Sequence, residues 1–593
     1  MRTKRLSEGG DACEPSSGRR PPPASRMRPT RRPMRTNCAH QKFYHSSIHS
    51  QSSPLLAATL PNGRDDMTSY LLLFSVLLGA HIMTGVAAFS AARHSLARRL
   101  TTVSSSALQA SMANSDSSSS IRDEKAKLLQ SSTKLSLAPM MEYTDRHFRH
   151  VVRLLSSRTL LYTEMVAANA IVHERKDAIA KLREENIAAA EAGTPPICEY
   201  DASYLRRFLG QGGIAPLEGP SVLQLGGSDP EIMAGATKAV MELTDQGYCD
   251  YTALNLNCGC PSPKVAGKGC FGAALMDDAK LVRDLTTAMH DGSGGKLPVT
   301  VKCRIGTDSD MENGFTLRQY TESDAEKEYS ELCKFIEEVA SAGIVSDFQI
   351  HARIAVLSKS FSPADNRKVP PLKYDYVRRL VQQYPEFTFS LNGGVDTLSG
   401  AKAEFEECPD LAGVMIGRAW AANPWSFACA DSVLYGDTGE GEALLGYTKP
   451  RNRLEVLQAY GKHVDAEEAE HDPVRIRRFM TKAVCSLFAG EPNAKRYRIA
   501  LDEIGGRPKK LAAQGESWKD DPPLSELILD AATKHLSEEV LLRTPEESYE
   551  RLLWDEERQK SKAAGSSVGG ASNVVADWQK LRKEEDESRA AAA

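Results

Sequence analysis

The chain has 593 residues, enough for several domains of about 150 residues each, although one closed barrel can take roughly 250. Charged residues make up 26%, hydrophobic residues 41%, and the net charge is −4, so whole-chain charge identifies no nucleic-acid partner. The 12 cysteines follow no repeating spacing, and Cys249, Cys303, Cys333 and Cys485 lie in apolar contexts. That pattern argues against a disulfide scaffold and for a reduced compartment.

Residues 1–130 differ from the rest, with clusters of Arg, Pro and Ser and no sustained apolar period, and are expected not to fold alone. Within them an apolar run over about 69–89 matches the h-region of a signal peptide. It is short for a spanning helix, and Gly85, Ala87 and Ala88 are the small residues a cleavage site needs. A basic, Ser-rich stretch follows, and no acid occurs between Met67 and Ser115. This two-part composition resembles the plastid presequences of algae with complex plastids, with Met67 as an alternative start. A mitochondrial presequence or a stop-transfer anchor is the alternative, and on the favoured reading no stable membrane association of the mature protein is expected.

From Lys134 the pattern becomes short β-rich runs alternating with helical stretches. The runs are 135–140, 160–166, 221–226, 251–258, 298–304, 347–353, 387–392 and 413–418. Eight such runs predict a closed parallel α/β barrel, a (β/α)8 TIM barrel, over 131–440. A doubly wound open sheet is the rival, but it would not need polar residues at every strand end. Two interruptions, from His173 to about Pro216 with a charged helix over 174–191, and from about Asp308 to Lys327, read as surface elaborations on loops.

Beyond the barrel, 441–555 has helical spacing. Between Arg475 and Lys510 ten Lys or Arg face three acids, with Phe479, Phe488 and Tyr497 interleaved. A small helical domain with a basic face for a polyanion is expected, against a merely solvated face. Residues 556–593, rich in Ala, Gly and charge, are expected to fray.

The carboxyl ends of barrel strands meet on one face, where chemistry sits. Gln224, Lys302, His351 and Arg353 would converge there without a carboxylate cluster, which suits an anionic cofactor better than a metal. No second Cys or His pair accompanies Cys258-x-Cys260, so no metal is expected. Asn392-Gly393-Gly394 and Gly417-Arg418 close the last two strands, where glycine backbone and arginine commonly hold a phosphate. Cys260, in the turn after Asn257, is either a bland small residue or an acid that delivers a proton beside a flavin. Cys270, in a glycine-rich loop, is the rival thiol.

These stretches resemble the tRNA-dihydrouridine synthases, A subtype. The matching residues run in family order: Leu137 to Met141 with Thr144 to His147, Leu161 to Val166, Leu223 to Gly227, Asn255 to Ser262, Phe271 to Met276, Val299 to Lys302, Ile350 to Arg353, Asn392 to Gly394, Met415 to Arg418, and the basic segment to Arg498. The resemblance implies reduction of the C5=C6 bond of a D-loop uridine, around position 20 of tRNA, with FMN recharged by NADPH. It implies Pro139, Met140, Met141, Gln224, Lys302, His351, Asn392, Gly393, Gly394, Gly417 and Arg418 as flavin ligands and Cys260 as proton donor. Asn257, Arg304, Arg353, Arg367, Lys495 and Arg498 would contact substrate, and the protein would act as a monomer on tRNA. The chain departs from the pattern at Ala274, where bacterial members often carry cysteine, and in its longer first insert. Two rival functions stay open: another FMN barrel oxidoreductase acting on a free pyrimidine, and a non-catalytic tRNA-binding factor.

Overall fold

The computed structural model describes residues 118–563, except for stretches within 197–217, 263–270, 310–323, 359–360, 438–446 and 518–520. The signal-like run, Cys270, most of the loop before Pro216 and the tail beyond 563 lie outside the described residues.

The strands are β1 (Leu135–Leu137), β2 (Leu160–Tyr162), β3 (Val166–Ala167), β4 (Ser221–Gly226), β5 (Ala253–Cys258), β6 (Val299–Arg304), β7 (Asp347–His351), β8 (Thr388–Asn392) and β9 (Gly413–Ile416). All pairings among them are parallel. The ring β1–β2–β4–β5–β6–β7–β8–β9 closes on β1, and β3 prolongs the edge of β4. The run predicted over 160–166 is therefore two pieces. Among the described residues the barrel helices are α1 (118–132), α2 (Arg146–Leu155), α3 (Ala168–Glu191), α4 (Pro230–Asp245), α5 (Ala279–Gly292), α6 (Ala325–Ala340), α7 (Tyr374–Gln383) and α8 (Leu398–Glu407). Their starts follow local chemistry: the carboxylates of Asp145, Asp229 and Asp324 accept from first-turn N–H groups, and Pro230 opens α4 where its missing donor costs nothing.

Three expectations change. The charged helix over 174–191 is no elaboration: it starts at Ala168, and Arg175 pairs with Glu242 of α4 at 2.6 Å, so it is a regular barrel helix. The second interruption is partly packed, since Tyr320 is buried against Phe315, which meets Phe361 edge-on. Residues 118–130, expected to be disordered, form most of α1. Its Leu129 is buried with Leu160, Tyr162, Val222, Ala253 and Met415, which caps the amino-terminal end of the ring.

The helical region comprises α9 (Arg453–Glu470), α10 (Pro473–Val484), α11 (Ala494–Gln514), α12 (Leu524–His535) and α13 (Pro545–Ala563). The expected boundary at 556 falls inside α13, where Glu556 accepts from the Ser399 hydroxyl at 2.6 Å. Helix α9 docks on α2: Arg146 holds Glu467 at 2.6 Å, His147 Nδ1 lies 3.0 Å from His463 Nε2, and the His150 ring stacks on His463 with centroids 4.2 Å apart. Burial, aided by Arg146, pushes His463 down from 6.5 to about 4, and burial drives His147 and His150 well below the ordinary range. No described helix is long and apolar enough to cross a membrane.

Candidate active site

Strand register assembles the site. Asn257 stands beside Lys302, Arg304 beside His351, and His351 beside Asn392, so side chains far apart in sequence share the upper layers of the ring. The turn after β5 is built by Asn257, whose Oδ1 accepts from Gly259 N (3.1 Å) and Cys260 N (3.0 Å). A second brace comes from the segment after the turn: Ala273 N donates to Cys260 O at 3.0 Å. Gly272 has a φ of +69°, and a Cβ there would lie 2.7 Å from Cys260 O, so both backbone conformation and space demand glycine. Cys260 is left partly exposed, whereas Cys258, two residues earlier, is fully buried with its thiol driven well up by burial. Of the two thiols only Cys260 can meet a substrate.

Cations surround that thiol. Lys302, Arg304 and Arg367 all lie near Cys260. Burial, with Arg304 next, pushes the Lys302 ammonium down from 10.5 to about 8. Its Nζ donates to Asn392 Oδ1 at 2.9 Å, and Asn392 Nδ2 donates to Met415 O at 2.7 Å. Asn392 thus aims the lysine as well as lining the site. His351 is held neutral by burial and by Arg304, Lys302, Arg353 and Arg418.

Gly393 and Gly394 have φ of +104° and +84°. A Cβ on Gly393 would come within 2.7 Å of His351 Nε2, and Tyr374 Oη donates to Gly393 O at 2.5 Å. Bare backbone is thereby presented beside exposed Arg418 and beside Arg367, whose buried Nε has no partner among the described residues. Glycine backbone free of side chains, an orphaned guanidinium donor and a rim arginine fit a phosphate. The buried, readily neutralised Lys302 with its amide neighbours fits an electron-rich ring. The residues present therefore suit a flavin mononucleotide. Pro139 and Met140 flank the same mouth, with Met140 Sδ 3.3 Å from the Cβ position of Gly417, while Met141 is exposed.

Arg304 is placed differently from expectation. It is 3% exposed and donates to Gly259 O (2.9 Å), Ile354 O (2.8 Å) and Asn366 O (3.3 Å), so its guanidinium braces the Cys260 turn and is not open to substrate. Asn257 is likewise committed, with Nδ2 on Gln224 Oε1 at 2.7 Å, and it shapes the turn from within. Arg353 gives Nη1 to Pro370 O and remains partly exposed. Lys495 and Arg498 are exposed on α11, in the basic region. Tyr143 and Phe479 are about half exposed, with Lys482 Nζ 4.6 Å above the Tyr143 ring and bonded to Glu142 O at 2.5 Å. Sequence reasoning missed the contact of Tyr143 with Lys482 because the two residues are far apart along the chain.

A family model described as dihydrouridine synthase matches residues 136–517, from the first strand well into the helical region. The chain belongs to the dihydrouridine synthase family. A tRNA-dihydrouridine(20/20a) synthase of Xanthomonas campestris is 35% identical over 393 residues, covering 66% of this chain and 95% of that one. The protein of the same name from Escherichia coli K12 is also 35% identical, over 372 residues, covering 63% of this chain and 86% of that one. The matched region contains the Cys260 turn, the Lys302–Asn392 pair and the two glycine turns, and it excludes α1 and α12 onward.

Proposed function

We propose that this protein reduces the C5=C6 bond of a D-loop uridine, around position 20 of tRNA, with FMN as prosthetic group and NADPH as reductant. The single observation that carries the reading is a partly exposed thiol, Cys260, fixed on a doubly braced turn among Lys302, Arg304 and Arg367. The names of the relatives supply the substrate class, and the glycine cradle and orphaned Arg367 donor support FMN.

FMN held by these residues would, when reduced, be the source of a hydride for C6 of the uracil. Cys260 then holds the proton for C5, at a site where a thiol can approach the base edge. Lys302 favours an anionic ring system beside it, and Asn392 keeps its ammonium aimed. Gly393, Gly394, Gly417 and Arg418 hold the phosphate, with His351 neutral and able to accept or donate at the ring. A uridine within folded tRNA must leave its stack to enter such a mouth. Tyr143 and Phe479 offer stacking faces, while Lys482, Lys495, Arg498, Arg353 and Arg367 offer phosphate contacts. The leader composition supports an organellar location, plastid in the first instance and mitochondrial in the second, and action as a monomer is part of the same proposal.

The test is incubation of the purified, FMN-loaded protein with NADPH and unmodified tRNA, followed by dihydrouridine mapping. Formation of dihydrouridine in the D-loop that depends on Cys260 is expected. Turnover of free uracil or uridine at the rate seen with tRNA, or no product in any tRNA, would refute it.

A further inference from the structure

The interior of a barrel of this kind is ordinarily filled by branched apolar side chains. Here one layer of the interior is apolar, with Ala138, Leu160, Tyr162, Val222, Ala253 and Met415. Elsewhere β4, β5, β6 and β7 contribute polar groups, because alternate residues of otherwise apolar strands are polar: Gln224, Asn255, Asn257, Thr300, Asp347 and Gln349. Of these, Asn255, Gln349 and Asp347 lie below the mouth and have no part in the reaction as described.

Their hydrogen bonds form one line. Asn257 Nδ2 donates to Gln224 Oε1 at 2.7 Å, and Gln224 Nε2 to Asn255 Oδ1 at 2.7 Å. Asn255 Nδ2 donates to Gln349 Oε1 at 2.8 Å, and Gln349 Nε2 to Asp347 Oδ1 at 2.5 Å. The direction is set at one end. At the top, Gly259 N and Cys260 N can only donate, so Asn257 must turn its oxygen to them. At the bottom, an ionised Asp347 can only accept. None of the five side chains is more than 9% exposed, so water cannot readily substitute for a lost partner.

We propose that Asn255, Gln349 and Asp347 are positioning residues, the lower links of a one-way amide chain that sets the Cys260 turn and the Gln224 amide from the closed end of the barrel. The inference rests on the reading of Cys260 as the reacting thiol. Asp347 is the only acid of the line; burial pushes it up from 3.8 to about 7, the hydrogen bond from Gln349 offsets this in part, and the direction of the line is therefore set at its top, with Asp347 a strict acceptor only above that value.

Directionality gives a test that a simple packing role would fail. Asn255→Asp is isosteric but puts an acceptor against Gln349 Oε1. Thr300 cannot relieve it without withdrawing the proton it gives Leu254 O at 3.2 Å. Above the Asp347 value of about 7, where the labelling is done, Gln349 can turn its nitrogen to the introduced carboxylate only by turning its oxygen onto the ionised Asp347 carboxylate. Asp347→Asn removes that conflict, because the amide it introduces can donate to Gln349. The double variant N255D/D347N therefore holds the same groups in exchanged places and completes the chain again.

The probe is iodoacetamide labelling of Cys260, mapped by peptide mass spectrometry on folded FMN-free protein, with FMN affinity and melting temperature measured beside it. N255D should change the Cys260 labelling rate by about tenfold, the scale of one mismatched buried hydrogen bond, and should lower FMN affinity. D347N should shift both by a few-fold at most, since the top of the chain still fixes direction. The double variant should return labelling and FMN affinity to within about threefold of the original. Wild-type labelling and FMN affinity in N255D, or a double variant no better than N255D in labelling, FMN affinity and melting temperature, would overturn the proposal. If the rescue pattern holds while no variant, nor the wild type, makes dihydrouridine, the reaction assigned above fails and the chain of amides stands.

Discussion

Replacing Lys302 by methionine should stabilise the FMN-free protein while weakening its hold on FMN. The Lys302 ammonium is pushed from 10.5 to about 8, chiefly by burial. At about 1.4 kcal/mol per pKa unit, keeping that charge inside costs the fold roughly 3 kcal/mol at neutral pH. The folded value is below the unfolded one, so the penalty is full below pH 8 and is relieved as pH rises from 8 to 10.5. Methionine removes the penalty but leaves Asn392 Oδ1 without its 2.9 Å donor, a loss of about 1–2 kcal/mol. The net gain is about 1–2 kcal/mol, or ~1–4 °C in a chain of this size. Thermal unfolding of FMN-free wild type and K302M at pH 7 and pH 10 reads it directly. The methionine variant should melt higher at pH 7, and the difference should shrink at pH 10. A variant that melts lower at pH 7, or a difference independent of pH, would refute the claim that the lysine is held charged against the fold's own interest.

Cys260→Ala should leave FMN binding intact and reduce product formation by about 10²–10⁴-fold, as expected for loss of a positioned acid, measured by single-turnover dihydrouridine formation. The joint between α2 and α9 should be acid-labile. Its histidines are neutral when folded, so the stability they contribute is present above the ordinary 6.5 and is lost as pH falls toward the His463 value of about 4. Hydrogen exchange in Arg146–Leu155 and Arg453–Glu470 should accelerate across that window, and His463→Leu should move the onset to lower pH. Lys495→Ala and Arg498→Ala should each weaken tRNA binding for every tRNA alike and lower the slope of log affinity against log salt by about one, read by filter binding at several salt concentrations.

The barrel was readable because its strands are short apolar runs with polar carboxyl ends, and Cys260 because Gly259 and Pro261 force a turn just after Asn257. What escaped the sequence was commitment. Arg304 is spelled like a substrate ligand, but three carbonyl oxygens claim it only once Gly259, Ile354 and Asn366 are brought together by different loops. The α2–α9 joint escaped for the same reason: His147 and His463 are 316 residues apart. A signal for the interior amides was present, since Asp347, Gln349 and His351 alternate with Phe348 and Ile350, and period two places all three on one face of a strand. The helix ahead of β1 was hidden by composition, because its Ser-, Lys- and Glu-rich face is solvated and Leu129 alone reaches the ring.

That last helix constrains how short a working form of this protein can be. Leu129 stoppers the ring at the end where β7 begins, and Tyr435 ties the segment down by donating to Ser132 O at 2.9 Å while accepting from Leu135 N at 2.8 Å. A protease acting upstream of residue 118 would leave this stopper untouched. Trimming a dozen residues further would let water into the cylinder from below, where buried amides and Asp347 would find new partners, and a lesion far from the reacting thiol would then be felt at it.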